Sequence, residues 1–327
     1  MTMTVVAASA VSTGRAYCPG HITGFLGKAS ALSCSNLNDS DNGSYLKLGS
    51  TGAGLAISVG LSTFVEAYEK QDNNSPTTYD VYMNGSHIKF NIDVTKSVVE
   101  KYISLLRKKS CYIKIEHETE LPIGFGLSSS GAAALSLSYA LNTALKVGLN
   151  SEQAAQIAHC SEIECKTGLG SVLAQYVGGF ELRSVMGAPG VGIANRIESF
   201  STQDLKVVIL CISPMSTKEF LSHNITELNG FGEKMLDRLK TTRNISDFLE
   251  MSFEFANALG LVRGKSEILA SKLKSRGFGC SVALFGNTIF SIVNSNYVRD
   301  VVTCLEGSGG RLLVCKIDNQ GARLIDK

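Results

Sequence analysis

No excess of charge, no long apolar run and no paired-cysteine motif marks this chain, and each absence removes a class of function. The formal net charge is +2, and the longest basic run is Arg107, Lys108 and Lys109. A surface that grips a phosphate backbone needs a basic stripe, so no nucleic-acid partner is expected. No apolar run approaches the ~20 residues that span a bilayer, so no membrane partner is expected either. The N-terminal MTMTVVAASAV is apolar but short, and it lacks the basic start of a signal peptide. Nine cysteines occur, at 18, 34, 111, 160, 165, 211, 280, 304 and 315, with no Cys-x-x-Cys among them. An odd, scattered set reads as reduced, mostly buried thiols of a cytoplasmic protein. A phosphate loop of the form Gly-x-x-x-x-Gly-Lys-Ser/Thr is also missing. The nearest approach, from Gly260 to Ser266, is one residue short and lies between helical patterns, where it reads as a helix connection.

What is present centres on Leu121 to Leu145, LPIGFGLSSSGAAALSLSYALNTAL. Pro122, Gly124 and Gly126 are followed by Ser128, Ser129 and Ser130, then by Gly131 and three alanines. Leu135, Leu137, Leu141 and Leu145 then fall on or near one face of a helix. This is a glycine loop delivering the chain into a helix whose first turn is hydroxyl-rich and small. Unpaired N–H groups at a helix start attract phosphates, and small residues let the backbone come close. A serine hydroxyl there can reach a metal ion held by those phosphates. The plainer alternative is a serine N-cap on a buried helix.

With 327 residues, 44% of them hydrophobic, the chain has core enough for two domains. Residues 13–19 read as a strand, 36–44 as a polar loop, and Gly49 to Gly54 as a flexible glycine turn. Leu55–Val59 and Ser62–Ala67 read as paired strands, as do Tyr79–Met83 and His87–Phe90 around an Asn84-Gly85 turn. A helix is expected around Val94–Leu106, a strand over Cys111–His117, and a helix over Ser151–Cys165 with Ser151 as its cap. Strands containing Arg183 and Val191–Ile197 follow. Leu205–Ile212 is a continuous apolar strand, and a domain boundary is placed near residue 200, giving domains 1–200 and 201–327. Helical patterns over 216–240, 245–259 and 262–275 come next. Strands at Ser281–Phe285, Ile289–Val293 and Arg311–Lys316 and a helix near Tyr297–Leu305 complete an α+β chain without internal repeats.

The segment Pro-x-Gly-x-Gly-Leu-Ser-Ser-Ser resembles the nucleotide loop of the GHMP kinases, which move the γ-phosphate of ATP to a small-molecule alcohol. Cys18-Pro19-Gly20-His21 is similar to the family's first motif. Gly277-Phe278-Gly279-Cys280-Ser281-Val282 is similar to its third, which packs under the phosphate loop. The resemblance spans nearly the whole chain. It implies a ribosomal-S5-like N-terminal domain, a ferredoxin-like C-terminal domain and a site between them. Within the superfamily, Pro-Gly-His-Ile-Thr-Gly-Phe and Thr-Gly-Leu-Gly look most like the archaeal pantoate kinases of coenzyme A synthesis. That branch carries an aspartate after Thr-Gly-Leu-Gly as the proposed base, where this chain has Ser171. The substitution leaves open pantothenate or a mevalonate phosphate as acceptor, or a binding protein with weak catalysis.

By this resemblance ATP and Mg²⁺ are the expected cofactors. Pro122, Gly124, Gly126, Leu127, Ser128, Ser129, Ser130, Gly131 and Ala132 would hold the nucleotide, and Ser130 and Glu162 the metal, with Glu164 as the alternative carboxylate. A small hydroxy acid, the expected partner, would meet His21, Thr23 and Arg183, the guanidinium matching its carboxylate. Glu162, Ser130, Arg183 and Ser171 form the expected catalytic set, and His159 is read as structural. A homodimer is the candidate assembly. A bulky residue at Gly126 is expected to weaken ATP binding and to leave stability nearly intact.

Overall fold

Two long strands form the spine of the computed structural model, which describes residues 12–30, 45–72, 75–90, 92–106, 110–198, 203–215 and 230–326. β1 (Ser12–Ala29) and β2 (Ser50–Glu69) pair antiparallel, with register shifts after Pro19, Thr23 and Leu26. The second half of β2 buries Leu61, Thr63, Val65 and Ala67, the period-two pattern of a strand with one face on a core. The expected glycine turn at 49–54 and the expected pair of strands are therefore wrong: one strand runs through both. Its glycines serve close approach rather than turning. A Cβ on Gly60 would lie 2.3 Å from the Cys18 carbonyl oxygen, and one on Gly54 would lie 2.5 Å from His21 Nε2.

One edge of β2 follows β1, and the other is shared. Its later half pairs with β5 (Cys111–Thr119) and its first residues with β6 (Phe180–Val185). β3 (Thr78–Met83) lies parallel to β5 and turns through Asn84 and Gly85 into β4 (Ser86–Ile88). Both turn residues have positive φ, 49° and 77°, as a two-residue hairpin requires. β7 (Ile193–Arg196) extends β6, and β12 (Arg323–Leu324) returns from the end of the chain to pair with β1.

Four helices attend this sheet: α1 (Asp93–Leu105), α2 (Ser129–Ala144), α3 (Ser151–Cys165) and α4 (Ser171–Val177). α2 lies against β1 and β2 and is covered by α1, α3 and α4, so eleven of its sixteen residues are buried. Its apolar, small-residue sequence suits a helix enclosed on most of its surface. The cap of α3 is Asn150, not Ser151. The Asn150 side chain accepts the Gln153 N–H, and the Gln153 side chain accepts the Asn150 N–H. That reciprocal pair satisfies two otherwise unpaired donors. The short α4 was not anticipated.

A second sheet has the order β11 (Arg311–Cys315), β8 (Leu205–Ser213), β10 (Asn287–Asn294), β9 (Ser281–Val282), all antiparallel. This is the strand order of a split β-α-β-β-α-β unit, the ferredoxin-like arrangement. α5 (Phe231–Thr242), α6 (Ile245–Ala258), α7 (Lys265–Ser275) and α8 (Val298–Leu305) accompany it. β9 is shorter than expected: it ends at Val282, and Phe285, at φ 63°, is outside strand conformation. The expected helix over 216–240 begins at Phe231, and residues 216–229 lie outside the described residues, as do the polar loop 36–44, Cys34 and the basic run 107–109. One apolar core joins the two sheets. Phe248 of α6 packs against Phe25 of β1 at 6.3 Å between ring centroids and edge-on to Phe180 of β6 at 4.9 Å. All eight described cysteines are unpaired, and all but the half-buried Cys165 are buried. No described helix is long and apolar enough to cross a membrane.

Candidate active site

The glycine loop winds by alternation. Gly124, Gly126 and Ser128 have φ of 85°, 74° and 54°, and the residues between them do not. Such alternation gathers successive backbone N–H groups into an anion-binding concavity. Ser128 precedes α2 but makes no capping bond with its side chain, so no serine hydroxyl competes there for the first-turn N–H groups. The loop is fixed from outside. Leu127 O accepts from His21 N at 3.1 Å, Ser128 O from Gln175 Nε2 at 3.1 Å, and Gly124 O from Met215 N at 2.8 Å.

Gly126 meets the second sheet directly. A Cβ there would stand 2.4 Å from the Leu284 carbonyl oxygen, and one on Gly286 would stand 2.1 Å from the Phe125 carbonyl carbon. The residues under the loop are thus Ala283 to Gly286, just after the stretch 277–282 expected to pack there. The same contacts overturn the expectation that a bulky residue at 126 would spare stability, because the glycine serves packing as well as the loop.

A cleft opens beside the loop, lined by Gly124, Gly126, Leu127, Ser128, Ser129 and Ser130 on one side and by Thr167 to Ser171 on another. Thr23 and Arg183 line it at the β1–β6 end, and Leu284 and Phe285 line it from the second sheet. Of the residues assigned to the nucleotide, Pro122, Gly131 and Ala132 do not line it. Gly131 instead faces inward, where a Cβ would meet Gln175 Oε1 at 2.4 Å and Glu162 Oε2 at 3.1 Å.

Glu162, 2% exposed, does not itself line the cleft but touches three residues that do. Ser130 Oγ donates to its Oε1 at 2.6 Å, Ser171 Oγ donates to its Oε2, and Thr167 Oγ1 stands 3.4 Å from Oε1. Burial raises the pKa of this carboxyl, and the three hydroxyls oppose that shift. Gly168 is required by the carboxylate, since a Cβ on it would lie 2.3 Å from Glu162 Oε2. Ser171 therefore occupies the position where the resemblance expects a base, and it holds Glu162 instead. Glu164 does not join the site. Its carboxylate takes Lys101 Nζ at 2.5 Å and Ser97 Oγ at 2.8 Å, on the surface between α1 and α3. His159 is buried against the Leu48 carbonyl at 3.1 Å, with burial lowering its pKa to about 4, in keeping with a structural part.

A second buried cluster lies at the other end. His21 Nε2 is 3.0 Å from Glu181 Oε1, and Arg183 donates to the same oxygen at 2.5 Å. Thr23 Oγ1 is 3.4 Å from His21 Nδ1. His21, Glu181 and Arg183 are almost wholly buried, and burial lowers the pKa of His21, which keeps its imidazole neutral. His21, Thr23 and Arg183 were expected from sequence; Glu181 and Gln175 were not. The signal for Glu181 was available, because a carboxylate two residues before an arginine in an apolar strand faces the same side of the sheet.

The oxygen-only donor set of Glu162 and Ser130 suits Mg²⁺, which takes one or two protein oxygens and fills its shell with water and phosphate. No group of three or more metal-ligating side chains occurs among the described residues. A divalent ion here would thus depend on a phosphate ligand.

Residues 94–179, which include the glycine loop and Glu162, match the family model of the GHMP kinases N-terminal domain. The pantoate kinase of Methanocaldococcus jannaschii is 33% identical over 306 residues, covering 92% of this chain and 99% of that protein. The pantoate kinase of Thermococcus kodakarensis is 28% identical, covering 85% of this chain and 87% of that protein. A solved structure described as a phosphotransferase related to the CoA biosynthesis pathway superposes with a TM-score of 0.80 at 25% identity, covering 95% of this chain and 98% of the other. A glycine loop at the start of a buried helix, a hydroxyl-held carboxylate beside it and relatives that match almost end to end lead to one family: the chain belongs to the GHMP kinases, ATP-dependent enzymes that phosphorylate an alcohol.

Proposed function

We propose that this enzyme transfers the γ-phosphate of ATP to the primary hydroxyl of pantoate. The observation that carries the reading is the cleft itself, which runs from a phosphate-type loop past Ser130, Thr167 and Ser171, whose hydroxyls meet the Glu162 carboxylate, to a buried arginine. In this reading the N–H groups of Gly126 to Ser130 receive the phosphates, and Ser130 and Glu162 hold Mg²⁺. The ion, when bound, neutralises charge on the transferring phosphoryl oxygens. Arg183 meets the carboxylate of the hydroxy acid from the other end, and Thr23 borders the same end of the cleft. A cytoplasmic setting accords with this chemistry. The likeness to two named pantoate kinases supports pantoate over other hydroxy acids.

Ser171 cannot act as a carboxylate base. Phosphoryl transfer tolerates that loss, because its transition state is loose and catalysis is mostly positioning and charge stabilisation. General-base assistance is worth about 10²–10⁴-fold, a reduction that leaves measurable turnover. The test is ADP release with ATP and Mg²⁺ over pantoate, pantothenate, mevalonate and the mevalonate phosphates. Turnover should be largest with pantoate, and Glu162→Ala should lower it by about 10²-fold or more, as loss of transition-state charge stabilisation does. Preference for another alcohol would transfer the assignment to it. ATP binding with no ADP from any of them would leave a binding protein.

A further inference from the structure

Arg183 and His21 come from strands that are not neighbours, and what joins them is one carboxylate oxygen. Glu181 and Arg183 alternate on β6 and so share a face. They pair across β2 with Gly54 and Gly52, and Gly54 pairs onward with Thr23 of β1. The glycines leave the space above β2 open. A Cβ on Gly52 would lie 3.1 Å from an Arg183 terminal nitrogen, and one on Gly54 2.5 Å from His21 Nε2. Through that opening His21 reaches from β1 to Glu181 on β6, over the strand between them.

Glu181 does not line the cleft, whereas Arg183 and Thr23 do. A guanidinium that is 1% exposed needs a neutralising partner, and Glu181 is the carboxylate paired with it. Among the described residues only one Arg183 terminal nitrogen is engaged, and Nε has no partner. The fork thus keeps donors for an incoming anion. On the imidazole, an Nε2–H given to Glu181 leaves Nδ1 as the acceptor toward Thr23, so the carboxylate selects the tautomer that orients the threonine hydroxyl.

We propose that Glu181 is the positioning residue of the acceptor end, holding Arg183 directly and Thr23 through His21 in the orientation that binds the hydroxy acid. The proposal rests on the acceptor reading above and deepens it. Glu181→Gln keeps the volume and removes the charge. A misdirected clamp weakens acceptor binding, and the expected result is a pantoate KM raised about tenfold or more with the ATP KM within about twofold. Adding Glu181→Gln to Arg183→Ala should raise the pantoate KM no further than Arg183→Ala alone, because the two act as a unit. Glu181→Asp, which keeps the charge but withdraws it by one methylene, should fall between wild type and Glu181→Gln. An unchanged pantoate KM, a parallel rise in both KM values or full additivity with Arg183→Ala would overturn the proposal. One readout needs no acceptor: ¹⁵N spectra of the wild-type enzyme should show His21 neutral with its proton on Nε2, and Glu181→Gln should move that resonance. A wild-type His21 protonated on Nδ1 overturns the positioning role even where pantoate is turned over. A wild type that ignores pantoate overturns the substrate assignment, and the His21 spectrum then decides the role of Glu181.

Discussion

At the scale of the residue, the departure at 171 is compensated by what surrounds it. Glu162 is buried and needs hydrogen bonds in place of water, and Ser130, Thr167 and Ser171 provide them. An aspartate at 171 would instead bring a second carboxylate against the first. Two carboxylates sharing a buried site cannot both ionise unless a cation lies between them. Ser171→Asp should therefore make stability depend on the metal. In chelator at pH 8 its Tm should fall below wild type by the equivalent of about 1–3 kcal/mol, the usual cost of a polar group left without a partner in a buried site. Mg²⁺ with ATP should recover most of that loss, while wild type gains less from the same additions. Thermal unfolding with and without Mg²⁺ measures both. A variant whose Tm ignores the metal would show that residue 171 does not face the ion.

Among the elements, the glycine loop was legible because its residues are constrained twice, by small size and by order. The Asn84-Gly85 hairpin was legible for a similar reason, since few residues accept two consecutive positive φ values. The stretch from Gly49 to Gly54 was misread because glycine signals flexibility and close approach alike. What tells the two apart is what lies against β2, the β1 carbonyls of Ile22 and Phe25 and the side chains of His21 and Arg183, and all of these come from distant sequence. Glu181 carried half a signal, in Arg183 two residues on, but its other partner, His21, lies 160 positions upstream. Gly126 and Gly85 separate the two uses of glycine experimentally. Both have positive φ, 74° and 77°, but a Cβ at 126 meets a carbonyl at 2.4 Å whereas one at 85 meets nothing within 4 Å. Gly85→Ala should cost only the conformational strain of about 1 kcal/mol and leave the ATP KM unchanged. Gly126→Ala should cost about 2–4 kcal/mol from strain plus collision, and raise the ATP KM as well. Denaturant midpoints and ATP kinetics on the two variants decide it; equal stability losses would mean that the second sheet gives way at no cost.

Across the whole molecule, stability is tied to histidines buried as neutral groups. His21, His117 and His159 are each no more than 1% exposed, in a chain with five histidines. Burial lowers the pKa of His117 and His159 to about 4 from 6.5. Between those values the unfolded chain binds protons that the folded chain refuses, so stability falls as pH drops from about 6.5 toward 4 and loses nothing further from these groups below that. By pH 5 the difference amounts to ~2 kcal/mol for each of the two. The apolar core is continuous from Val65 and Leu135 of the larger sheet layer to Phe248 and Phe290 of the smaller, so this loss should appear as one transition moving to lower temperature. His117→Leu isolates one share. The Nε2 of His117 has no partner among the described residues, and Thr63 keeps its bond to Ser136 Oγ at 2.6 Å when the imidazole is removed. The variant should therefore fold, and it should lose ~2 kcal/mol less than wild type between pH 7 and pH 5. Equal acid losses in the two proteins would mean that His117 is already protonated in the fold, which its buried ring nitrogen, unpartnered among the described residues, argues against.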